Sequence, residues 1–190
     1  MRLLSSLVLI CSLSAASLSC KSKKAVDKKF FPALSYIKSQ VAKVDSSLNT
    51  IKKYVFIDST RTDTIFLHRD QFKDAAADFL SIPDLTGADY QDRYTESNQY
   101  DETLNRAILI CTPIKPGKEQ VQRQEVLIKP DPGGDKVTNI IINTVMSSKD
   151  SSVEKHMLWK VDESFQVTTT RQLAGQPEKT STYKVEWIEQ

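Results

Sequence analysis

Apolar residues recur at spacings of three and four from Phe30 onward, with Leu34, Ile37, Val41, Val44 and Leu48 on one stripe and lysine and serine opposite. That period is helical. Pro32 suits a first turn, where its missing N–H costs nothing. The stripe predicts a helix ending between Asp45 and Leu48. From residue 50 the pattern changes. "TIKKYVFID" (50–58) is β-branched and aromatic, "STRTD" turns the chain, and "TIFL" (64–67) completes a predicted hairpin. A second helix is predicted over 69–81, with Phe72, Ala75, Ala76, Phe79 and Leu80 on one side and Pro83 just beyond its end. Residues 84–103 are polar with little periodicity and read as loop with at most one edge strand.

After Asn105 the chain alternates between strand-like runs and short turns. "RAILICTPI" (106–114) is apolar at consecutive positions, as in a central strand covered on both faces. "VQRQEVLI" (121–128) follows the Pro116-Gly117 turn, and "PDPGGD" (130–135) bends the chain into "KVTNIIINTVM" (136–146). There Ile140 and Ile142 point one way, and Asn139, Ile141 and Asn143 the other. "SVEKHMLWKV" (152–161), "FQVTTTRQL" (165–173) and "TSTYKVEWI" (180–188) complete the run. Val153, Met157, Trp159 and Val161 share one parity, as do Tyr183, Val185 and Trp187. Short turns between successive strands imply antiparallel neighbours. The expectation is an α+β fold: an antiparallel β-meander sheet with two N-terminal helices packed on one face, forming a single domain over residues 30–190.

Composition narrows the function. Of 190 residues, 39% are hydrophobic and 26% charged, which is globular rather than disordered. The formal net charge of +2 falls to about +1 without Arg2. A nucleic-acid partner is not expected, because phosphate neutralisation demands a strong basic excess.

The amino terminus carries an address. Arg2 precedes "LLSSLVLICSLSAASLS", an apolar stretch of roughly 24 Å as a helix, short of the ~30 Å hydrocarbon core. A basic start, a short apolar centre and the small residues Ala15, Ala16, Ser17 and Ser19 together read as a signal peptide over 1–19. A buried helix of the domain is the competing reading; the missing polar face and the lysines behind the run oppose it. At "SLSC", Ser17 to Cys20, the chain resembles the lipobox of bacterial lipoproteins, with serine three places before the cysteine where leucine is usual. The resemblance implies cleavage before Cys20 and acylation of its sulfur, and so a membrane partner reached through an N-terminal lipid anchor. Ordinary cleavage, leaving a soluble periplasmic protein, is the alternative.

With Cys11 inside the apolar centre and Cys20 acylated, Cys111 would stand alone among three cysteines, leaving no pair for a disulfide. "KSKKAVDKK" (21–29) then forms, with Cys20, a basic tether (20–29) suited to anionic headgroups. The chain as a whole is loosely similar to small lipoproteins of Bacteroidota-type bacteria. In those, acidic residues after the cysteine accompany surface export; Lys21, Lys23 and Lys24 have the opposite sign. The expected location is the cell envelope, anchored to the inner or outer membrane and facing the periplasm.

No arrangement of residues specifies an active site. "HRD" (68–70) has the letters of a kinase catalytic loop, but Ala75 stands where asparagine is required, and neither a glycine-rich loop nor "DFG" is present. His68 to Asp70 instead suit the start of the second helix. Cys111 would need His68 or His156 to activate it, and within "ILICT" it reads as a small core residue. His156 falls opposite to Trp159 and is expected at the surface or rim. The histidines and Cys111 lack zinc spacing, and "DPGGD" is too poor in ligands for calcium. No metal or cofactor is expected. Asp84, Asp89, Asp92 and Glu96 cluster near Tyr90 and Tyr94. Of these, Tyr90, Tyr94, Asp92 and Glu96 form a candidate ligand-contact loop, with a solvated acidic loop as the alternative.

The function expected is therefore a non-enzymatic binding or structural module of the envelope, its partner an envelope protein. Two rivals stand beside it. One is a carrier of an apolar ligand in a cavity bounded by Trp159, Trp187 and the first helix. The other is an envelope hydrolase using Cys111 or the acids of 84–103, which requires Cys111 and a histidine within hydrogen-bond reach.

Overall fold

The computed structural model describes residues 30–188. The signal segment 1–19, Cys11, the lipidation candidate Cys20 and the tether lie outside the described residues. Helix α1 (Ala33–Asp45) is followed by β1 (Thr50–Phe56) and β2 (Thr62–Leu67), then by short helical turns, and then by seven strands. These are β3 (Tyr94–Asp101), β4 (Arg106–Pro113), β5 (Val121–Lys129), β6 (Lys136–Ser147), β7 (Ser151–Lys160), β8 (Ser164–Leu173) and β9 (Lys179–Ile188).

The nine strands of the described residues form one antiparallel sheet in the order β2-β1-β9-β8-β7-β6-β5-β4-β3. The last seven strands make an uninterrupted meander, as the short turns between them require. The β1–β2 hairpin joins at the far side, where β1 pairs with β9 from Thr50↔Ile188 to Phe56↔Thr182. Two tight turns need left-handed backbone at non-glycine positions, Asn105 (φ 50°) between β3 and β4 and Asp162 (φ 59°) between β7 and β8; asparagine and aspartate tolerate that region best.

Strand parity separates two faces. One carries Cys111, Val126, Ile140, Ile142, Met157, Trp159, Phe165, Val167, Val185 and Trp187, all buried in a single cluster with Leu34, Ile37, Val41 and Val44 of α1. Aromatic rings fill its centre. Trp159 stacks on Phe165 with centroids 5.2 Å apart and planes at 14°. Phe79 meets both rings edge-on at 5.1 and 5.4 Å, and Phe72 stands edge-on to Trp187 at 5.1 Å. Burying each such ring contributes roughly 2–3 kcal/mol. Within this cluster the Trp159 Nε1–H has no acceptor among the described residues. Helix α1 is also tied to the β7–β8 turn, where the Asp162 N–H donates to Gln40 Oε1 (3.1 Å) and Lys43 Nζ lies 2.8 Å from the Asp162 carboxylate.

The sequence predicts one helix over 69–81; the structure divides it. A 3-10 turn over Arg69–Gln71 leads into Phe72–Ala75, and after a break at Ala76 the chain makes one more turn over Ala77–Leu80. The break falls at Ala76, which sits at φ −88°, ψ 6°, outside the helical region. The break lets Phe72, Ala76, Phe79, Ile82 and Leu85 all reach the same core. A continuous helix keeps only one stripe against a surface. The start of this segment matches its prediction: the His68 N–H donates to Gln71 Oε1 at 2.9 Å in a capping box. The stretch 84–103 holds one further helical turn, Ala88–Gln91, and the edge strand β3.

Candidate functional site

Residues 90–96 cross from the last helical turn into β3, and their side chains divide. Tyr94 opens β3 opposite Pro113 and is completely buried. Its hydroxyl donates to the Val121 carbonyl at 3.0 Å, beside an irregularity where β5 slips register against β6 between Val121 and Arg123. Burial first, and the nearby Glu119 charge second, push the Tyr94 phenol well above its ordinary range. It stays protonated and donating. Tyr90 is half-buried, its ring 6.3 Å from that of Tyr94 and capped by the Arg93 guanidinium at 4.8 Å. Asp92 and Glu96 are exposed. A Glu96 oxygen lies 3.4 Å from the Phe31 N–H, so this edge receives the chain as it enters the domain. Asp84 is occupied locally, accepting from the N–H and hydroxyl of Thr86 at 3.0 and 2.7 Å.

Cys111 lies on the aromatic face, only 2% exposed. Burial, with a smaller contribution from the Glu96 charge, pushes its thiol up to about 12. Its row across the sheet runs Cys111, Gln124, Ile142, Met157. His156 precedes Met157 and so points to the opposite face, three strands and roughly 14 Å away. It is exposed, with Nδ1 2.6 Å from Asn143 Oδ1. His68 follows β2 at the other edge of the sheet. Neither histidine can take a proton from Cys111, so the geometry demanded by a thiol hydrolase is not met. Strand β4, expected at the centre, lies second from the β3 edge.

The space expected for an apolar ligand is filled. Trp159 and Trp187 are 0% and 3% exposed, and Phe72, Phe79 and Phe165 occupy the volume between them and the helical segments. A hollow of about 720 Å³ lies outside this core, lined by Lys38, Val41, Ala42 and Asp45 of α1 and by Asp70, Lys73 and Leu80. Among the described residues no three His, Cys, Asp or Glu side chains gather into a metal-holding group.

One polar cluster has no signal in the sequence because its members are 77 and 105 positions apart. Lys155 Nζ lies 2.5 Å from Asp78 Oδ1, and the Tyr183 hydroxyl is 3.0 Å from Asp78 Oδ2 and 3.2 Å from the Ala75 carbonyl. Lys53 Nζ caps the Tyr183 ring at 4.6 Å. Burial and the Asp78 charge raise the Tyr183 phenol, which remains neutral. Each group is satisfied by another, so the cluster fastens the Ala77–Leu80 turn to β7 and β9.

The second face of the sheet carries the opposite parity. Ile110, Glu125, Ile141, Leu158, Gln166 and Lys184 follow one another across six strands. Arg123, Asn143, His156, Thr168 and Thr182 form the next row. Its charges are largely paired in place: Arg123 with Glu125 and Lys184 with Glu186. Thr168 and Thr182 bond to each other at 3.0 Å. The result is a nearly neutral surface with apolar side chains at its middle and hydrogen-bonding groups beside them. That composition suits contact with another protein surface better than attraction of a polyanion. No alternation in residues 106–113 announces this face, but the polar–apolar alternation Asn139, Ile141, Asn143 does. Compared with known proteins, the chain matches no family model, and no curated protein or solved structure is significantly similar to it.

Proposed function

We propose that this protein is a lipid-anchored component of the bacterial cell envelope, facing the periplasm, which works by surface recognition without turnover. Acyl chains on Cys20 hold it to the membrane, and the lysines of 21–29 lie against anionic headgroups. In this reading α1 and the turns of 69–85 are a helical layer over the aromatic face, and the opposite face of the sheet meets an envelope protein. The observation that carries the reading is the cross-strand pair Ile141 and Leu158, partly exposed and flanked by self-neutralised charges, on a face to which the residues of α1 do not contribute. The inaccessible Cys111 thiol and the filled aromatic core favour it over the hydrolase and the carrier.

The test uses the full-length chain in its own envelope. Labelled palmitate should enter the wild type and not Cys20→Ala. A photo-crosslinker placed at Ile141 or Leu158 should trap a partner protein, whereas one at exposed Asp74 should not. Label persisting in Cys20→Ala removes the anchor; equal trapping at all three positions removes the recognition face.

A further inference from the structure

The two edges of the sheet are built differently. Strand β3 presents the polar run Thr95, Glu96, Ser97, Asn98 and Gln99, with two carboxylates, Glu96 and Asp101, along its length. Such charges are how natural sheets discourage edge-to-edge pairing. Strand β2, "TDTIFL", carries a single charge, Asp63, with no lysine and no proline, and makes six unbroken pairs with β1 without a bulge. Five of its six residues are exposed, Ile65 by 47% and Phe66 by 66%. Phe56 and Ile57, across the same hairpin, are 39% and 43% exposed.

The backbone phase of β2 follows from its turn. The Ile57 N–H donates to the Arg61 carbonyl at 3.0 Å. Antiparallel bonding alternates along a strand, so the backbone groups of Asp63, Ile65 and Leu67 face β1, opposite Val55, Lys53 and Ile51. Those of Thr62, Thr64 and Phe66 face outward, and no described strand lies beyond them.

We propose that this edge is a self-association site, where β2 of one molecule pairs antiparallel with β2 of a second copy about a two-fold axis through Thr64. In that register Thr64 faces Thr64 of the partner subunit, and Thr62 faces Phe66 of the partner subunit. Every outward N–H and C=O of the strand then gains a mate. The two contacts are identical by symmetry, as a closed dimer requires, and Asp63 falls opposite an isoleucine instead of a like charge. The axis is perpendicular to the sheet, so both molecules turn the aromatic face the same way. Six-residue strands bury well under the roughly 1,200 Å² of a standard interface. The dimer is accordingly weak and concentration-dependent. The site depends on β2 alone and stands whether or not Cys20 carries lipid.

Two measurements on the full-length chain test it. Thr64→Cys, oxidised in isolated membranes or detergent, should give a disulfide-linked band of twice the chain mass, because paired Cα atoms in such a register lie about 5.5 Å apart. Ser97→Cys on the opposite edge should not. Thr64→Pro removes only an outward N–H and leaves the β1 ladder whole. It should shift sedimentation at high protein concentration from dimer to monomer with an unchanged circular dichroism spectrum. Phe66→Lys gives a second route to the same shift should the proline variant misfold. A Thr64→Cys band no stronger than that of Ser97→Cys, a crosslink to a different protein, or a dimer surviving both substitutions would overturn the assignment.

Discussion

Replacing Tyr94 by phenylalanine separates a structural tyrosine from a ligand-contacting one. The ring is wholly buried, and its hydroxyl is the hydrogen-bond donor to the Val121 carbonyl where β5 slips against β6. Tyr94→Phe keeps the ring and deletes one atom. It forfeits a neutral hydrogen bond and leaves a buried carbonyl short of a partner, together about 1–2 kcal/mol. For a domain of this size, that lowers the melting temperature by about 3–7 °C. Urea unfolding followed by tryptophan fluorescence reports it, since Trp159 and Trp187 are both in the core. The midpoint should fall with an unchanged slope. Tyr94→Ala should lose about 4 kcal/mol by adding a cavity. If Tyr94→Phe unfolds at the wild-type urea concentration, the hydroxyl carries no structural load and the reasoning fails.

Cys111 makes stability fall at alkaline pH. Burial pushes its folded thiol up to about 12, so above the ordinary thiol range, near pH 9, the unfolded chain gives up a proton that the folded chain retains. Stability is complete below that point and declines as pH rises toward 12. Tyr94 and Tyr183, shifted in the same direction, steepen the decline above pH 10. Cys111→Ala should flatten the pH 9–10 part of the curve in urea melts, and an unchanged curve would contradict the shift. Phe79→Ala removes the ring that meets Trp159 and Phe165 edge-on. It should lose about 3–5 kcal/mol and alter near-ultraviolet circular dichroism, while a loss below about 1 kcal/mol would mean that the cluster is loosely packed.

The strands were legible where alternation was strict. In β9, Tyr183, Val185 and Trp187 alternate with Lys184 and Glu186, and the short turns declare antiparallel neighbours. The first helix was legible from its stripe as far as Val44; it ends at Asp45, and Leu48, read onto the same stripe, lies beyond it and is exposed. The second reads as one continuous helix because Phe72, Ala76 and Phe79 keep helical spacing across a break that only tertiary packing reveals. β3 was hard to see because an edge strand is solvated on both sides, so "TESNQY" has no apolar phase to show. Candidate chemistry was legible only in part. That Cys111 lies inside the core follows from its neighbours in "ILICT". That Tyr94 points inward does not follow from the acids around it; its partner is the Val121 carbonyl, 27 positions away. The Asp78–Lys155–Tyr183 cluster is a product of the fold alone.

The pairing of β1 with β9 sets the timetable of folding. Residues near 50 must wait for residues near 188 before their ladder can close. During synthesis from the amino terminus, the first hairpin made is therefore the last docked, a non-local closure of the kind that slows folding and leaves apolar strands waiting. A chain interrupted before Lys179 would keep an intact meander from β3 to β8, with its earliest hairpin unanchored.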